Sequence, residues 1–152
     1  MDARRILVPL DGSELAEAAL PVAESLTRSA DTTFVLVRAV EVRPTVSEIA
    51  GARWDALAKA ERYLHTVADD LRARRFPNVE IAALYGPADA VILGAAGRYE
   101  ADLIVMATSG RSGVRRHLHG SVAETVVRGT QTPVFLVRAG EAAGRRLMRA
   151  SA

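Results

Sequence analysis

The chain has 152 residues, a length that suits one domain able to bury a hydrophobic core without disulfide or metal staples. It contains no cysteine, which excludes a disulfide framework and thiolate metal sites and makes the cytoplasm the natural compartment. The formal net charge is only +2 although the pI is about 9.5, because nearly every base is an arginine and Lys59 is the sole lysine; so balanced a chain is not expected to have nucleic acid as its main partner.

No apolar segment of signal-peptide type follows Arg4-Arg5, and no run of 18 or more apolar residues occurs, so neither a signal peptide nor a membrane span is expected. Residues 5–10, RILVPL, form an apolar run closed by Asp11-Gly12-Ser13, the pattern of a strand buried on both faces. Ser13 is a good N-cap, since its hydroxyl can accept from free amides of the following turn. A helix over about 14–29 then places Leu15, Ala19, Val22, Ala23 and Leu26 on one face. Pro21 lies inside that pattern and implies a kink, or a helix that begins near it.

Residues 33–40, TFVLVRAV, are the second strand, and a polar stretch around Arg43-Pro44-Thr45 leads to a long helical pattern over about 51–75. Trp54, Leu57, Ala58, Leu64, Val67, Ala68 and Leu71 fall near helical spacing in it. The third strand is Asn78–Leu84, after which Gly86-Pro87 opens a third helix over about 87–98. Leu103–Ala107 is the fourth strand, a glycine-rich loop and a helix over about 121–129 follow, and Pro133–Arg138 is the fifth. Strands alternating with helices call for a single-domain α/β fold, a doubly wound open parallel sheet of five strands with helices on both faces. The domain is expected over 1–140, with an Ala- and Arg-rich tail over 141–152. In such sheets ligands bind outside the carboxyl ends of the strands, where the strand order reverses.

The feature that carries chemistry follows the fourth strand: MATSGRSGVRRHLHGSV, residues 106–122. Gly110, Gly113 and Gly120 allow close approach of backbone to a ligand, and Gly120-Ser121 opens a helix whose free amides and dipole suit an anion such as a triphosphate. An ordinary strand–helix connection capped by Ser121 accounts for the same residues. Asp11 likewise suits both a turn former and a ligand contact. Arg111, Arg115 and Arg116 could neutralise phosphate, although a solvated face explains at least two of them better. His117-x-His119 has no third ligand nearby and is not read as a metal site. There is no P-loop lysine motif, no nucleophile–histidine–acid set and no kinase signature, so hydrolysis, if any, is expected to be slow and no catalytic residue is named.

ILVPLDGS, LIVMATSGRSG, GSVAETVV and TPVFLVR are similar, in order and spacing, to the universal stress protein family, over Arg5 to Arg138. Its ATP-binding branch carries G-x-x-G, nine residues, then G-[S/T]; Gly110, nine residues and Gly120-Ser121 match the second half, while Ala107 replaces the first glycine. The alanine adds a Cβ, which bears on affinity rather than on where the site lies. The resemblance implies strand order 3-2-1-4-5, with Gly110, Gly120, Ser121 and Val122 on ribose and phosphates, joined in the loop by Arg111 and Gly113. It places Pro9, Leu10 and Asp11 along the nucleoside, Ala39 and Val40 framing adenine, and Met106 and Ala107 beside them. It further implies ATP with Mg or Mn held by the phosphates, and a homodimer through the last strand (Val134, Phe135, Leu136, Val137). The expectation is an ATP-binding stress-response module; the alternatives are a nucleotide-independent interaction protein of the same family, towards which Ala107 leans, and a slow ATP-hydrolysing or adenylate-transferring enzyme.

Overall fold

The computed structural model describes residues 3–41, 49–108 and 122–138. Five strands, β1 (Arg5–Pro9), β2 (Thr33–Val40), β3 (Val79–Tyr85), β4 (Leu103–Thr108) and β5 (Val134–Arg138), form one sheet of order β3-β2-β1-β4-β5. Every neighbouring pair is parallel. The order reverses at β1, as expected. The helices are α1 (Glu14–Glu17), α2 (Ala19–Ser25), α3 (Ile49–Arg74), α4 (Ala88–Arg98) and α5 (Val122–Gly129).

The sheet separates two apolar layers. Ile6, Val8, Phe34, Leu36, Leu103 and Val105 pack on one face with Ala19 and Ala23 of α2 and Leu64, Ala68 and Leu71 of α3. Leu7, Val35, Val37, Ile104 and Met106 pack on the other with Val91, Ile92 and Ala95 of α4 and Val126 of α5. Alternate residues of each strand serve opposite layers, which is why the central strands read as unbroken apolar runs. Ile6, Leu7 and Val8 are all fully buried, and each such side chain stabilises the fold by about 1.5–3 kcal/mol.

Two helices differ from the sequence-based expectation. The single helix over 14–29 is two short ones, broken at Ala18 and ending at Ser25. Pro21 lies in the first turn of α2, where its missing amide costs nothing, so the helix does begin near the proline. The break also shifts the buried face: Ala16 and Leu20 are buried, whereas Leu15 is 40% exposed.

In α3 the apolar pattern runs past the core. Its 26 residues span about 39 Å, while the eight of β2 span about 26 Å, so the helix overhangs the sheet. Ala60, Leu64, Val67, Ala68 and Leu71 are buried, but Trp54 is 73% exposed on the overhang. That overhang lies at the carboxyl end of the sheet, where the Arg53 guanidinium sits 4.7 Å over the Tyr85 ring at the end of β3. No helix among the described residues is long and apolar enough to cross a membrane.

Candidate functional site

The carboxyl ends of the strands diverge at the switch point. The β1–β2 ladder runs to Pro9↔Val37, and the Leu10 amide extends it by donating to the Val37 carbonyl at 2.8 Å. The β1–β4 ladder covers only Ile6↔Leu103 and Leu7↔Ile104. Beyond it, Pro9, Leu10 and Asp11 stand on one side of the gap and Met106, Ala107 and Thr108 on the other. A parted pair of parallel strands at the reversal of strand order is where α/β sheets accept ligands.

On the β1 side the chain turns sharply. Gly12 has φ +88°, a conformation that favours glycine. The Asp11 Oδ1 accepts from the Ser13 amide at 2.9 Å and from the Ser13 hydroxyl. The Ser13 Oγ in turn accepts from the Ala16 amide at 3.1 Å, as the cap of α1. The turn-forming role of Asp11 is therefore present. It consumes one carboxylate oxygen and leaves the residue exposed, so the two roles considered for Asp11 are compatible.

At the end of β2, Ala39 is half-buried and Val40 is buried. The Val40 carbonyl accepts from the Gly86 amide at 3.2 Å, and the Glu41 Oε1 accepts from the Ala88 amide at the start of α4 at 3.1 Å. On the β4 side Met106 is buried among the α4 and α5 side chains, and Ala107 packs against the opposite layer. The half-buried Ala107 thus packs against the edge of the protein's own core. Val122, the first residue of α5, is 38% exposed.

The β1–β2 ladder ends at Pro9↔Val37, so Leu10 and Asp11 leave β1 at the same carboxyl end of the sheet as Ala39 and Val40, which pair with Leu84 and Tyr85 of β3, while Met106 and Ala107 lie near the end of β4. Gly110, Arg111, Gly113, Gly120 and Ser121 lie outside the described residues, as do Arg115, Arg116, His117 and His119. The dimer residues divide: Phe135 and Leu136 are 43% and 45% exposed, Val134 is half-buried, and Val137 is buried in its own core, so its side chain does not face outward.

Sequence reasoning missed Arg38 and Tyr63. The Tyr63 hydroxyl donates to the Glu17 Oε1 at 2.7 Å, and the Arg38 guanidinium lies 4.9 Å over the Tyr63 ring. Burial, and then the Glu17 carboxylate, push the Tyr63 hydroxyl well above the ordinary tyrosine range, while Arg38 opposes that shift. The available signal was an arginine interrupting the apolar run TFVLVRAV, on the face shared by Phe34 and Leu36.

Comparison with known proteins follows the same outline. The model of the universal stress protein family matches residues 3–138. A universal stress protein of Methanocaldococcus jannaschii is 28% identical over 143 residues, covering 89% of this chain and 82% of the relative. The solved structure of the hypothetical protein MJ0577 superposes with a TM-score of 0.75 at 27% identity, covering 89% of this chain and 95% of that one. A universal stress protein solved in complex with cAMP gives a TM-score of 0.73 at 22% identity, covering 91% of this chain and 99% of that one, a likeness of fold.

Proposed function

The chain belongs to the universal stress protein family, and from that premise we propose that it binds an adenine nucleotide, ATP with Mg or Mn on its phosphates, at the carboxyl end of the sheet. The observation that carries this reading is the parting of β1 from β4 beyond Leu7↔Ile104, directly before the Gly110…Gly120-Ser121 spacing. Pro9, Leu10 and Asp11 would line the nucleoside, with the exposed Asp11 carboxylate accepting from a ribose hydroxyl. Ala39 and Val40 would frame the base, beside Met106 and Ala107. Gly110, Arg111, Gly113, Gly120, Ser121 and Val122 would meet the phosphates, with amides at the start of α5 facing negative charge. A relative of the same fold solved with cAMP supports an adenine ligand in this kind of frame.

Binding, with at most slow hydrolysis, fits the residues: the sequence offers no nucleophile–base pair and no P-loop lysine. In this reading the protein acts in the cytoplasm as a nucleotide-dependent stress-response module. A homodimer would form along the outer edge of β5, which pairs with no strand among the described residues and where Phe135 and Leu136 leave apolar surface. Ala107, in place of a glycine, favours a second reading, a nucleotide-independent interaction protein. The packing of this half-buried residue against the first-face core weakens that objection to binding.

The test is calorimetric titration of MgATP into nucleotide-stripped protein, alongside Gly120→Val. Saturable, stoichiometric binding that the variant weakens by about a hundredfold or more, without a change in melting temperature, is the expected result. No heat up to millimolar ATP would reject the reading, and equal affinity in the variant would reject the site.

A further inference from the structure

Arg38 follows Phe34 and Leu36 on the α3 face of β2, two residues before the strand ends at Val40. It is half-buried, and its guanidinium makes no hydrogen bond or ion pair with any described residue. Two contacts define its place. A Cβ built on Gly12 would lie 3.3 Å from both Nη1 and Nη2, so the guanidinium packs directly against the backbone of the β1–α1 turn. Its other contact is the Tyr63 ring. That ring is held by α3 on one side and by the hydroxyl's bond to Glu17 of α1 on the other. The turn carrying Asp11 is therefore backed by a flat cation, the cation by an aromatic ring, and the ring by the helix that the turn itself begins.

This arrangement has a use. Among the described residues the Asp11–Ser13 turn is otherwise held by short-range bonds to itself and to the first turn of α1, because its residues have left the sheet. A ligand group needs its partner held to within a fraction of an ångström, and that precision comes from packing behind the contacting residue. Only a planar group can both stack on the ring and lie flat against a glycine; lysine keeps the charge but neither the plane nor the forked donors.

We infer that Arg38 is a positioning residue for the nucleotide site: from behind Gly12 it holds the Asp11–Ser13 turn, and with it the Asp11 carboxylate, where the nucleoside is bound. The inference rests on the nucleotide reading above and assigns Arg38 to the nucleoside half of the site, not to the phosphates.

The experiment uses the full chain as wild type, Arg38→Met and Arg38→Lys. Affinities for MgATP and for adenosine are measured by calorimetry, and amide exchange at Gly12 and Ser13 without nucleotide. Arg38→Met should weaken MgATP and adenosine by the same factor, about tenfold, and speed exchange at both amides. Arg38→Lys should fall between Arg38→Met and wild type in both measurements, and it remains readable should the methionine variant fail to fold. A loss clearly larger for MgATP than for adenosine would make Arg38 a phosphate contact and overturn the inference. So would unchanged affinities or unchanged exchange. If the wild-type chain binds neither ligand, the nucleotide reading falls, and unchanged exchange at Gly12 and Ser13 would separately overturn the holding of the turn by Arg38.

Discussion

The two ends of the sheet are built to opposite rules. At the amino end the polar groups are tied across the molecule. The Asp102 Oδ2 accepts from the amides of Arg4 and Arg5 at 3.0 and 2.9 Å, closing the entry of β1 against that of β4. The Arg5 guanidinium then donates to the Tyr99 carbonyl at 2.6 Å and to the Glu80 carboxylate at 2.8 Å, reaching the end of α4 and the edge strand β3. At the carboxyl end β2 and β3 stay tied through Val40–Gly86 and Glu41–Ala88, but the bonds of the turn that leaves β1 are short-range. Among the described residues Asp11 bonds to Ser13 alone, two residues on, and the β1–β4 ladder has already ended. One end spends its hydrogen bonds on holding β1 to β4; the other leaves those two strands unpaired and a carboxylate exposed, while β2–β3 and β4–β5 stay paired to their ends. The division teaches where to look for stability and where for ligand.

Substitutions that separate the two ends sharpen this contrast. The largest effect on stability is expected from Asp102→Ala, which strips two backbone amides of a charged acceptor. A loss of about 2 kcal/mol in denaturant unfolding, with nucleotide affinity unchanged, would confine that network to the fold. An accompanying loss of affinity would erase the distinction. Asp11→Asn is the converse. It keeps an oxygen for Ser13 but removes the charge, so affinity should fall about tenfold by calorimetry while the melting temperature stays near that of wild type. A destabilised protein with unaltered affinity would reduce Asp11 to a turn former.

The smallest effect is expected from Tyr63→Phe, which removes one hydrogen bond to Glu17 and should cost about 1 kcal/mol at neutral pH. Its signature lies in alkali. Folding holds the Tyr63 hydroxyl protonated above the usual tyrosine value of 10.0, through burial first and Glu17 second. The unfolded chain ionises sooner, so the stabilisation is complete below pH 10.0 and is lost as pH rises from there towards the folded value. Stability of the wild type should therefore fall more steeply than that of Tyr63→Phe above pH 10.0. Parallel unfolding curves would show that the hydroxyl is not held as described.

The sheet was legible in the sequence because strands buried on both faces announce themselves by composition: RILVP and TFVLV carry no face to solvent. The phase of the first helix was not, because the break at Ala18 shifts which residues are buried, and Leu15 fell on the wrong side of it. Trp54 sits in good helical spacing yet is exposed, since periodicity is blind to a helix longer than the sheet it covers. In the candidate site, Asp11 was legible as a turn former or ligand contact after the apolar run RILVPL, whereas Pro9, Leu10, Ala39 and Val40 were named only through the family resemblance. The glycine spacing over 110–121 was legible only as a pattern, and those residues lie outside the described ones. Arg38 carried almost no local signal. Its position matters through Gly12 and Tyr63, contacts that exist only once β1, β2 and α3 are assembled.

The measurement that bears most directly on the division between the two ends is the map of backbone amide chemical shifts on adding MgATP to the nucleotide-free protein. The expected result is saturable change at Leu10–Ser13, Ala39–Glu41, Met106–Thr108 and Val122, with Arg4, Arg5 and Asp102 unmoved. Changes clustered at the amino end, or no change at millimolar nucleotide, would contradict a nucleotide site at the carboxyl end.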